Sequence, residues 1–90
     1  MNDLSEIRKK IDVLDIKIVK LLKERLRLVL STQDKKEKIE DMKREEEILD
    51  MIKNLSENED EEFFLKTIYR NLFSEGKRIQ IKIMSPKKDI

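Results

Sequence analysis

The sequence predicts an all-α protein, and three observations carry that reading. Leu4, Ile7, Ile11, Leu14, Ile18, Leu21 and Leu28 recur at alternating steps of three and four, with Arg25 in register, which is the period of one helix face. The ninety residues hold a single Gly (Gly76) and a single Pro (Pro86), so almost nothing punctuates a helical pattern. The rest of the chain is dominated by Leu, Ile, Lys and Glu, all of which tolerate helix.

The first helix starts near Asp3 or Ser5, both competent N-caps, and is expected to run to about Lys35 or beyond, a length of about 45 to 50 Å. From Gln33 to Lys43 the apolar period lapses without a Gly or Pro, so composition alone sets the break. A short second helix is expected to begin with Asp41 as N-cap and to turn Ile48, Met51, Ile52 and Leu55 inward, with Glu45, Glu46 and Glu47 near the positive end of its dipole. Ser56 and Glu59 have capping-box spacing, and a third helix follows from about Glu59 to Ile83. Its expected buried row is Phe64, Leu65, Ile68, Leu72, Ile79 and Ile83. Residues 1–84 read as one helical domain, and 85–90, with Ser85-Pro86, as a frayed tail.

Composition narrows the function. The charged fraction is 46% against 38% hydrophobic, so one copy has a thin core and a self-associating bundle is favoured. The 21 basic and 20 acidic residues interleave at a net charge of +1, which argues against nucleic-acid binding. No Cys and no His means no thiolate metal site and no imidazole proton shuttle. The N-terminus has no apolar signal region, and no apolar run approaches the ~18 residues of a membrane span, so the chain reads as cytoplasmic.

Several polar residues stand where apolar ones belong. Arg25 occupies the apolar seam of the first helix, and a buried guanidinium needs an anionic partner, either a glutamate of another helix or a bound anion. Lys36 follows by eleven residues on the same face, about 16 Å along the axis, so the two could flank a small molecule; alternatively Lys36 is simply solvated. Arg44 precedes Ile48 and Ile52 by four and eight residues, against the helix dipole, where either an anion or Glu45 would compensate it, or solvent would. Gln80 shares a row with Tyr69, Phe73 and Gly76, and Gly76 in a helix interior costs about 1 kcal/mol relative to Ala unless something approaches closely. Arg8 lies seventeen residues before Arg25, about 25 Å along and about 100° around the helix. One straight helix cannot bring both to one small ligand, so a shared role for Arg8 requires a second, antiparallel copy.

These residues resemble the all-helical (AroQ-class) chorismate mutases over nearly the whole chain. The similar stretches are Ile7-Arg8-Lys9-Lys10-Ile11-Asp12 with Asp15, Leu21-Leu22-Lys23-Glu24-Arg25, Lys36, Asp41-Met42-Lys43-Arg44-Glu45, and Gln80. The resemblance implies an intertwined, helix-swapped homodimer of three-helix chains. It also implies a cofactor-free rearrangement of chorismate to prephenate in aromatic amino acid biosynthesis. Carried over by position, Arg25, Lys36, Arg44, Glu45 and Gln80 line one site, with Asp41 at its mouth and Arg8 entering from the partner copy. Arginines fork the two carboxylates of the substrate, Lys36 and Gln80 donate to the ether oxygen as its charge grows, and Glu45 accepts from the ring hydroxyl. Two features depart from the family pattern. The link from Lys36 to Asp41 is about four residues short on the family's usual spacing and lacks its Gly or Pro turn, and Gly76 replaces a polar residue that helps bind a carboxylate.

Two other readings fit the pattern. An isochorismate pyruvate lyase would use a similar cationic pocket, and an assay with both substrates separates the two. A non-catalytic helical interaction module would show no stabilisation by a dicarboxylate, whereas a cationic pocket gains stability from an anion by mass action.

Overall fold

A computed structural model describes residues 3–32 and 38–84, and the side chains of 3–32 and 41–83. It contains three helices, α1 (Leu4–Leu30), α2 (Lys38–Leu55) and α3 (Glu59–Met84), and no strand among the described residues. They divide into two compact units, Met1–Ser31 built on α1 and Thr32–Ile90 built on α2 and α3.

In α1 the cap is Asp3 rather than Ser5: the Asp3 carboxylate accepts the Glu6 amide at 2.9 Å, satisfying a first-turn donor that has no carbonyl partner within the helix. The helix ends at Leu30, about five residues before the expected Lys35. Ser31 closes it, its amide pointing back to the last turn's carbonyls and its hydroxyl donating to the Leu28 carbonyl at 2.6 Å. At 27 residues α1 is about 40 Å long. No residue of it is buried, and the seam from Leu4 to Leu28 remains between 43% and 64% exposed in the single chain.

In the second unit, α2 begins at Lys38, so Asp41 lies inside the helix and is not its N-cap. Lys38, Ile39 and Glu40 all tolerate helix, and with no Gly or Pro before Asp41 nothing delays its start. The result is 18 residues instead of about fourteen, with Glu45 to Glu47 in its middle turns. Its inward stripe is Asp41, Glu45, Ile48 and Ile52, at steps of four, three and four, with Ile52, at 4% exposure, the buried apolar residue among those described, whereas Met51 and Leu55, also expected to turn inward, are exposed.

The connection into α3 is three residues long, which folds the two helices into a hairpin. Its cap differs from the expected Ser56–Glu59 box. Asn58 Oδ1 accepts the Glu61 amide at 2.8 Å, and the Glu61 carboxylate reaches back to the Glu57 amide at 3.1 Å. Ser56 instead donates its hydroxyl to the Ile52 carbonyl at 2.6 Å and so terminates α2. Either residue has a capping side chain, but Asn58 directly precedes the first helical residue and can reach the third. Four acidic residues, Glu59 to Glu62, then fill the first turn, where the helix dipole favours them.

The inward face of α3 carries Tyr69, Phe73, Gly76 and Gln80, the last two buried, with Tyr69 and Phe73 edge-to-face at 6.2 Å between ring centroids. Of the row expected to be buried, Leu65, Leu72 and Ile79 are half-buried, while Phe64, Ile68 and Ile83 are exposed. One hairpin has a single covered face, and that second row stands partly outside it.

Candidate active site

The second unit brings together part of the set expected from sequence. Glu45 lies on the inward stripe of α2, and its Oε2 meets Lys77 Nζ of α3 at 2.8 Å. Lys77 is flanked by the buried Gly76 and, one turn on, by Gln80 at 8% exposure. The Glu45 carboxylate therefore stands against the stretch of α3 that carries the buried amide. Burying an amide is costly unless its donors and acceptors are used, so a polar residue this inaccessible marks a place where polar contacts are concentrated. Gly76, one turn before Gln80, adds no side chain there, which leaves the backbone of that turn approachable.

Asp41 is half-buried one turn before Glu45 on the same stripe. Arg44 is not directed inward: its side chain is 70% exposed and meets Glu47 at 3.9 Å on the outer face of α2. Spacing explains this, since Glu47 is one turn ahead of Arg44, whereas Glu45 is the adjacent residue and projects about 100° away. Such an exposed pair holds its arginine weakly. Lys36 lies outside the described residues.

The first unit carries the other two. Arg25 is half-buried near the C-terminal end of α1, among the half-buried Leu26, Val29 and Leu30, and Arg8 is exposed in its second turn. The helix runs unbroken between them, so α1 alone keeps the two residues about 25 Å apart along its axis.

Elsewhere on α3, Arg78 forks both carboxylate oxygens of Glu75 at 3.0 to 3.2 Å. These hydrogen bonds, helped by the cation's charge, hold the Glu75 carboxyl below its ordinary 4.5. This pair is on the solvent side, away from the Gln80 row. A shallow groove of about 330 Å³ lies along the first half of α3 between Glu59, Glu62, Phe63, Lys66 and Arg70, and contains none of the candidate residues. Among the described residues no group of His, Cys, Asp or Glu is arranged to hold a metal ion.

Lys77 is not among the residues that the sequence singles out. A signal was present. Glu45 has no cation three or four residues away on α2, and Lys77 has no acid at those spacings on α3, so each needed a partner from outside its own helix.

Comparison with curated proteins and with solved structures returned no match. A sequence model of the family described as chorismate mutase type II matches residues 7–81. That span covers α2, most of α1 and α3, and every candidate residue from Arg8 to Gln80, and the chain belongs to the chorismate mutase type II family.

Proposed function

We propose that the chain is a working chorismate mutase, converting chorismate to prephenate for phenylalanine and tyrosine synthesis, and that it acts as a helix-swapped homodimer. The observation that carries this reading is Gln80, an amide buried to 8% exposure on the same hairpin as the inward-facing Glu45. An amide can donate to an oxygen whose negative charge grows during reaction, and in a desolvated place that bond is stronger than in water.

The reaction requires no nucleophile and no proton transfer, which suits a sequence without His or Cys. Its barrier falls when a flexible dicarboxylate is held in the compact conformer and the breaking ether bond is stabilised electrostatically. In this proposal Gln80 and Lys36 donate to the ether oxygen, Glu45 accepts from the ring hydroxyl, and Arg25 and Arg44 bind carboxylate, with Asp41 at the mouth. Arg44 would exchange its weak surface bond to Glu47 for a substrate carboxylate, a stronger charge-assisted partner. Arg8 is supplied by the second copy, because α1 separates it from Arg25 by about 25 Å. The exposed seam of α1 supports the dimer: a row of half-exposed Leu and Ile along 27 residues is an interface composition.

The test is turnover of chorismate by the purified chain, followed as loss of chorismate and formation of prephenate, with isochorismate in parallel. Prephenate formation well above the uncatalysed rate, without pyruvate release from isochorismate, is expected. Inertness toward chorismate in a folded protein overturns the proposal.

A further inference from the structure

We infer that Lys77 is a positioning residue for Glu45, fixing one carboxylate oxygen so that the other faces the substrate hydroxyl; this rests on the proposed role of Glu45. The observation is the 2.8 Å bond from Lys77 Nζ to Glu45 Oε2, which ties α2 to α3. Glu45 is the less exposed partner, at 26% against 48% for Lys77, so the cation reaches inward to the carboxylate.

Three physical points favour positioning over an incidental surface contact. Glu45 has Asp41 one turn before it and Met42, Ile48 and Leu49 at the other helical neighbour positions, so α2 offers it repulsion and no counter-charge. Lys77 likewise has only Phe73, Ser74, Gln80 and Ile81 at those spacings, which leaves its ammonium uncommitted on α3 and available to α2. The contact also solves a charge problem. A site for a dianion is weakened by a bare carboxylate, and Lys77 neutralises Glu45 through its bond to Oε2.

A hydroxyl contact exists before and during reaction, so losing its alignment raises KM and leaves kcat nearly unchanged. Freeing one side chain and unmasking one half-screened charge together are worth about a three- to tenfold change. The experiment measures kcat and KM for the full-length wild type, Lys77→Met, Lys77→Arg, Glu45→Gln and the Glu45→Gln/Lys77→Met double variant, with helicity checked by circular dichroism. Lys77→Met is expected to raise KM about three- to tenfold with kcat within about twofold, and Lys77→Arg to restore KM. In the Glu45→Gln background the same change should matter less than about twofold. Lys77→Gln provides the same comparison if Lys77→Met loses helicity. An unchanged KM in folded Lys77→Met, or an equal rise with Glu45 already replaced, overturns the positioning role while the mutase reading stands. A wild type with no turnover overturns both.

Discussion

The α1 seam allows the dimer to be tested by a single substitution, Ile18→Asp. In the single chain Ile18 is 49% exposed and α1 has no buried residue, so in a functional monomer the change would remove a half-covered side chain. That costs about 1 kcal/mol in burial, with a few tenths more for helix propensity. If two copies of α1 pair along the seam, the aspartate enters a closed apolar interface without a partner. The penalty is then roughly 3 kcal/mol per copy, roughly 6 kcal/mol per dimer, and about four orders of magnitude in the dissociation constant. Sedimentation at micromolar concentration, with thermal unfolding at two protein concentrations, reads both quantities. The parent is expected to sediment as a dimer with a midpoint that rises with concentration. The variant should be dissociated and largely unfolded, while Lys20→Ala, an exposed position on the opposite side of α1, shifts stability by less than about 0.5 kcal/mol. An Ile18→Asp chain that keeps its mass and loses only about 1 kcal/mol would refute the reasoning, because the seam would then face water in the functional protein.

Three further outcomes follow from the site and the caps. Wild-type turnover should be nearly flat from about pH 5 to 8, since an amide donates at any pH and the chain has no His, whereas Gln80→Glu should be active mainly in acid. With its carboxyl ionised the variant lacks the donor, at a cost of about a hundredfold or more in kcat; a pH–rate profile that does not change on substitution places Gln80 away from the breaking bond. Arg8→Ala and Arg25→Ala chains should each be nearly inactive and regain activity when refolded together, because a mixed dimer can assemble one site with both arginines; mixtures as inactive as the parents would exclude a shared site. Asn58→Ala should destabilise the chain by about 1 kcal/mol in denaturant titration by removing the α3 cap, and Ser56→Ala by less than about 0.5 kcal/mol, an order that reverses if Ser56 is the true cap.

The sequence showed three helices but their inward faces only in part: on α2 Ile48 and Ile52 turn inward while Met51 and Leu55 are exposed, and on α3 half of the row expected to be buried is exposed. The Tyr69, Phe73, Gly76, Gln80 row was legible because its steps of four, three and four match a helix, and the structure buries its last two members. Boundaries were legible only where a side chain competes clearly for an end. Asp3 was readable as a cap, but Asn58 was hidden by Ser56 two residues earlier, since both have an acidic residue three positions on. Lys38 could not be recognised as a helix start, because the three residues directly before it, Lys35, Lys36 and Glu37, include neither a preferred capping side chain nor a breaker. The Arg44–Glu47 contact follows from local spacing, whereas Lys77–Glu45 depends on how α3 meets α2, a relation that local pattern does not encode. The family resemblance supplied the roles, which no spacing rule provides.

The unequal cover of the two units also bears on how the protein acquires its structure. The α2–α3 hairpin joins neighbours through a three-residue connection, has its own cap and cross-helix ion pair, and can close through sequence-local contacts in a fast step independent of concentration. Helix α1 has no fully buried residue within one chain, and in the proposed dimer much of the reward for its ordering would come from a second copy. Refolding from denaturant should thus divide into a rapid unimolecular phase and a slower bimolecular phase whose half-time shortens in proportion to protein concentration. On the proposed dimer, catalytic competence would appear only with the second phase, and a chain that had not yet met a copy of itself would be dormant.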